Sequence, residues 1–186
     1  TRSSDVPAGA LWVMAATMPR FQRPREASSR KHGPRVVGTS VDAMVSPADT
    51  TQQLTVDGIN DMIGKLFPGS NNSCVEVGSD FAVARRDISD DELRPGAFIS
   101  GPAQFGLADA ALWYLVFGAT GRIEPMALTS ELSIRFLRPA QGSVLWAKAT
   151  LDVAGRRNVV GTVRVWCDDR SDRPTATAQG TYVLPL

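Results

Sequence analysis

The chain has 186 residues, 43% of them apolar and 21% charged, with a net charge of +1. It is long enough for one domain with a real core and too short for two full ones, and it fits neither a disordered nor a fibrous class. The near-neutral balance gives no case for nucleic acid as a whole-chain partner, although residues 1–50 carry seven Lys and Arg against four Asp and Glu.

Ala8–Met18 is apolar after Arg2 but lacks the cleavage pattern of a signal peptide. From Pro19 to Ser46, Arg, Ser, Pro and Gly dominate without a sustained apolar period, so the segment cannot offset its chain entropy and reads as a disordered tail. Its Arg-rich character also permits a mitochondrial transit peptide, against which Glu26 and the scattered prolines argue. Met44 opens a stretch with ordinary folding signals. The expected division is therefore a disordered or non-native extension over 1–49 and a folded domain over 50–186. A cytoplasmic location is expected, or a mitochondrial one if the extension is a transit peptide.

Thr55-Val56-Asp57 begins a short amphipathic helix with Ile59, Met62, Ile63 and Leu66 on one face, ended by Pro68-Gly69. Val75–Ile88 alternates loosely, as a strand or hairpin does, and Arg94-Pro95-Gly96 is a turn signal. A second helix is predicted over Pro102–Phe117, with Ser100 as N-cap and Pro102 in its first turn. After Gly121 the period changes to two. Leu128, Ser130, Leu132, Ile134 and Phe136 alternate with Thr129, Glu131, Ser133 and Arg135, and three further runs follow at Leu145–Val153, Asn158–Cys167 and Thr175–Leu184. Pro139–Gly142, Gly155-Arg156-Arg157 and Asp168–Pro174 separate them as turns, which suggests a four-strand antiparallel meander. A sheet with one face covered by one long apolar helix is an α+β layer architecture.

Asp109 stands out because it is the only charged residue between Arg94 and Arg122, in the middle of the most apolar stretch, Gly101–Gly121. Its helical neighbours Phe105, Gly106, Leu112 and Trp113 cannot pair with a carboxylate. A buried carboxylate protonates, finds a partner from elsewhere in the fold, or is kept for chemistry. The stretch is long enough to be read as a membrane span, but a central Asp costs roughly 2.5–3.5 kcal/mol on insertion scales, which favours a buried core helix. The two cysteines, Cys74 and Cys167, lie far apart without a CxxC motif and read as small apolar residues in a reducing compartment. The only histidine, His32, precedes the folded part, which excludes Ser-His-Asp and Cys-His systems and most zinc sites there. Carboxylate chemistry remains, and no metal is expected.

Three stretches carry a family resemblance: RPGAFISGPAQFGLADAALW (Arg94–Trp113), LTSELSIRFLRPAQG (Leu128–Gly142), and the pair AGRRNVVGTVRV (Ala154–Val165) with ATAQGTYVLP (Ala176–Pro185). In this order and spacing the chain, over about Leu54–Leu186, resembles the hotdog-fold acyl-CoA thioesterases of the phenylacetic-acid-degradation type. The resemblance implies an antiparallel sheet wrapped around one long apolar helix. It also implies hydrolysis of an acyl- or aroyl-CoA to the free acid and coenzyme A, without a cofactor beyond the coenzyme A of the substrate. The family's helix carboxylate, general base or nucleophile, falls on Asp109, and the glycine N–H that polarises the thioester carbonyl falls on Gly101. The hydroxyl that orients the attacking water falls on Thr129. The basic residue associated with the coenzyme A phosphates falls on Arg156, with Arg157 and Arg138 as further candidates. Many members have His-Gly-Gly where this chain has Ser100-Gly101-Pro102, so Ser100 replaces a side chain that helps place the thioester and Pro102 lacks a second N–H. The family also implies a homodimer or homotetramer with sites built from two subunits, while the near-neutral charge and the central Asp109 lead to neither nucleic acid nor membrane being expected as a partner. The alternative is a non-catalytic acyl-CoA-binding or sensor module of the same fold.

Overall fold

A computed structural model describes residues 54–185. The expected extension over 1–49, with His32 and Met44, lies outside the described residues, as does the boundary at residue 50. The first described element, α1 (Val56–Leu66), starts where the Thr55 hydroxyl accepts the Gly58 N–H at 3.0 Å, and it buries Ile59 and Ile63. Leu66, predicted for the same face, is exposed at the last turn. The alternation after it forms a hairpin, β1 (Asn72–Val77) and β2 (Phe81–Asp87). Two short strands, β3 (Leu93–Arg94) and β4 (Phe98–Ile99), then pair around Pro95–Ala97.

Helix α2 spans Gly101–Thr120, longer at both ends than the predicted Pro102–Phe117. At its start the Ser100 hydroxyl accepts the Ala103 N–H at 3.3 Å, satisfying one of the first-turn donors. Gly118, a residue of low helix propensity, stays helical because the helix presses there on the β1–β2 turn: a Cβ would stand 2.0 Å from the Gly78 carbonyl oxygen. The helix ends at Gly121, whose φ of +70° supplies the left-handed cap. No helix among the described residues is long and apolar enough to cross a membrane.

Four strands follow: β5 (Leu128–Phe136), β6 (Val144–Ala154), β7 (Asn158–Cys167) and β8 (Ala176–Val183). They join the first hairpin in a six-stranded antiparallel sheet of order β1-β2-β6-β7-β8-β5. The predicted four-strand meander therefore holds only for β6-β7-β8. β5 pairs with β8 instead of β6, because the segment from Leu137 to Ser143 carries the chain across the end of the sheet, where a meander needs a tight turn. The sheet wraps α2, and the two share one core that includes Leu107, Leu112, Leu115 and Phe117 of the helix and Ala84, Ala147, Val163 and Ala178 of the sheet. Gly161 and Gly180 are cross-strand partners beneath the helix, and a Cβ on either would stand within 3.0 Å of Leu112. This is the hotdog fold.

Candidate active site

Asp109 sits half-buried midway along α2, and its partners come from the far edge of the sheet. Thr129 on β5 and Tyr182 on β8 are cross-strand neighbours. The Thr129 hydroxyl donates to Asp109 Oδ1 at 2.9 Å, and the Tyr182 hydroxyl donates to the same oxygen at 2.8 Å. The Tyr182 oxygen also lies 3.2 Å from the backbone carbonyl oxygen of Asp109. The carboxylate has thus found partners from elsewhere in the fold, and among the described residues they are hydroxyls and not an Arg. Among the described residues Oδ2 has no hydrogen-bond donor from a side chain.

A break in the strand pattern brings Thr129 to this position. Plain alternation puts Thr129 on the opposite side from Leu132 and Ile134. The observed register pairs Thr129 with Tyr182 and Glu131 with Thr181, leaving Ser130 as an extra residue. That bulge reverses the parity of the strand, so Thr129 and Leu132 both face the helix. Tyr182 drew no attention in the sequence. Its position in an alternating strand is accounted for by β-propensity alone, and it lies 73 residues from Asp109. It is 4% exposed, and burial first, then the Asp109 charge, holds its hydroxyl proton well above the usual tyrosine range.

These groups stand at the wall of a cavity of about 580 Å³ between α1, α2 and the start of β5. Ile63, Phe67, Trp113 and Tyr114 are among its apolar lining. The Trp113 ring packs edge-on against Phe67 at 5.7 Å and Phe117 at 5.0 Å, so Trp113 is both a packing residue and part of the cavity wall. Two buried polar atoms of lining residues, Trp113 Nε1 and Asn72 Oδ1, have no partner among the described residues.

The other sequence candidates lie apart from Asp109. Gly101 is eight residues earlier on the same helix, about 12 Å along the axis. It lines a second, open groove of about 370 Å³ with Phe136 and Arg138. As the first residue of the helix, Gly101 has an N–H without an intrahelical acceptor, and Pro102 has none to offer. Ser100 is engaged as the cap. Arg138 is exposed and donates from Nη1 to the Pro174 carbonyl at 2.8 Å. Arg156 and Arg157 are exposed on the β6–β7 hairpin. They lie at the Tyr182 end of the sheet, since Val159 pairs with Tyr182 and Leu184 N–H donates to the Arg157 carbonyl. One chain thus unites Asp109 with Thr129 and separates both from Gly101, Ser100 and Arg138. Among the described residues no group of three or more His, Cys, Asp or Glu is placed to hold a metal ion.

A family model described as the thioesterase superfamily matches residues 96–173, which include Gly101, Asp109 and Thr129 and stop short of Tyr182. Among solved structures, the chain is similar to a candidate thioesterase from Silicibacter sp. at 28% identity and a TM-score of 0.62, covering 70% of this chain and 92% of that one. The PaaI protein of the phenylacetic acid degradation operon of E. coli is 22% identical with a TM-score of 0.53, over 69% and 92% of the two chains. A Streptococcus mutans protein solved with acetyl-CoA bound is 19% identical with a TM-score of 0.54, over 63% and 90%. No curated protein sequence matches the chain significantly.

Proposed function

We propose that this chain is a thioesterase that hydrolyses an acyl- or aroyl-CoA to the free acid and coenzyme A. The observation that carries the reading is Asp109: one carboxylate oxygen is held by two hydroxyls, and the whole group faces an apolar cavity large enough for an acyl chain or ring. In this reading Oδ2 takes a proton from water as the water oxygen attacks the thioester carbonyl carbon. Negative charge then grows on the carbonyl oxygen, and a fixed backbone N–H aimed at it lowers the barrier. The tetrahedral intermediate collapses by breaking the C–S bond, and the thiolate leaves with the proton. Thr129 stands close enough to accept from the same water while donating to Asp109, and Arg156 and Arg157 offer cations to the phosphates of coenzyme A.

The N–H of Gly101 cannot reach Asp109 within one chain, so the reading includes a second copy. β5 is an open edge: among the described residues it pairs only with β8, Leu128 and Phe136 on it are 63% and 50% exposed, and Met126 just before it is 64% exposed. Two β5 edges paired antiparallel about a twofold axis cover these residues and run the two α2 helices in opposite directions. Each Gly101 is then carried toward the partner's Asp109. The Streptococcus mutans relative with acetyl-CoA bound supports a CoA thioester as the ligand class.

A thiol-release assay over short, medium and aromatic CoA esters tests the reading. Turnover of at least one ester is expected. Binding of CoA esters with no thiol release from any of them overturns the hydrolase and leaves a non-catalytic acyl-CoA-binding module.

A further inference from the structure

We infer that Tyr182 is a positioning residue for the reaction: it pins Oδ1 of Asp109 from the last strand and thereby makes Oδ2 the oxygen that reacts. The inference rests on the hydrolase reading for its kinetics, and its geometry stands independently. An aspartate side chain on an isolated helix turns about two torsions and presents either oxygen. Here the two hydroxyls converge on a single oxygen, 2.8 and 2.9 Å away. Thr129 alone would leave the carboxylate free to rock, because a threonine hydroxyl rotates and is itself exposed at the strand edge. Tyr182 is rigid where Thr129 is not. Its ring is buried under α2, on a strand paired on both sides, and its hydroxyl is also 3.2 Å from the carbonyl of the residue it holds. Side chain and backbone of Asp109 are therefore referenced to one fixed point.

The arrangement also sets the chemistry of each hydroxyl. Burial and the Asp109 charge keep the Tyr182 proton in place across the working pH range, so the phenol donates and never competes as a base. Deleting the donor frees the carboxylate to turn, so neither oxygen is fixed toward the substrate.

Tyr182→Phe keeps the ring and removes the hydroxyl. The expected result is a fall in kcat of about 10- to 100-fold with KM little changed, as misplacement of a reacting group produces. A merely structural tyrosine would lower the melting temperature and leave kcat per folded molecule where it was, and that outcome overturns the inference. A second measurement needs neither turnover nor the Phe variant. The chain has two tyrosines, Tyr114 and Tyr182, so ¹³Cζ-tyrosine labelling gives two resonances. Asp109→Ala should move one of them well away from its wild-type position and leave the other nearly unmoved. If both stay in place, Tyr182 does not hold Asp109 and the inference falls. A wild-type chain that releases no thiol from any ester would sink the hydrolase reading alone, and the resonances would still decide the contact.

Discussion

Replacing Asp109 by Asn separates chemistry from stability at a single position. The amide oxygen can still accept from Thr129 and Tyr182, so the packing of α2 on the sheet is preserved, while the group that takes the proton in the proposed hydrolysis is gone. Turnover should fall by about 10²–10⁴-fold, the usual contribution of a general base, with the melting temperature within a few degrees of wild type. Single-turnover hydrolysis and thermal unfolding on the same sample check both halves. A folded Asp109→Asn variant with wild-type turnover would remove Asp109 from the mechanism. The buried thiols make a prediction at the same scale. Burial pushes Cys74 from its usual 9.0 up to about 12, against a smaller opposing effect of the Glu76 backbone, and raises Cys167 as well. Both should resist thiol reagents in the folded protein. The sign with pH follows from proton counting. Above about pH 9 an unfolded chain releases the thiol proton that the folded chain retains, so stability falls as pH rises from there toward 12. Denaturant midpoints measured between about pH 8 and 11 should decline, and Cys74→Ala should flatten part of the slope.

The secondary-structure elements were legible where a period ran unbroken. The apolar stretch around Asp109 marked α2, and the period of two after Gly121 marked four strands. The turns between them were spelled in Gly and Pro. What was not legible depended on contacts between elements. Gly118 looks like a helix stop, and only the Gly78 carbonyl against it explains why the helix continues. The same contact predicts that Gly118→Ala destabilises by about 1–3 kcal/mol, since a Cβ 2.0 Å from a backbone oxygen forces the helix or the turn to move. Chemical denaturation measures it, and a neutral result would mean that the β1–β2 turn yields freely. The bulge at Ser130 was equally hidden. Nothing in LTSELSIRF distinguishes a regular strand from one with an extra residue, yet that residue decides whether Thr129 faces solvent or Asp109. Tyr182 was missed for a related reason: its role exists only because β5 crosses the sheet to lie beside β8.

For the whole molecule, the separation of Asp109 from Gly101 turns a question of assembly into one of chemistry. If the site is shared between two copies, specific activity should fall on dilution below the dimer dissociation constant, and Phe136→Lys on the open edge should give a folded monomer with little turnover. A more searching experiment uses Gly101 itself. Ser100 has φ −65° and ψ 153°, the conformation a residue takes before proline. Gly101 occupies the first helical position, where proline is well tolerated. Gly101→Pro therefore removes the N–H at small structural cost, provided the half-exposed Phe136 ring, which a Cβ would approach to 3.1 Å, moves aside. If the Gly101 N–H is the oxyanion donor of the proposed reaction, its loss predicts a fall in kcat of about 10²–10³-fold. Asp109→Asn and Gly101→Pro are then each nearly inactive alone. Unfolded together and refolded as an equal mixture, half of the dimers should contain one of each. In such a dimer one site has both defects, and the other joins an intact Asp109 to an intact Gly101 from the opposite subunit. Activity should return to about a quarter of wild type. If both residues served the same site from one chain, mixing would restore nothing, and the two-subunit site would be wrong even with the hydrolase intact.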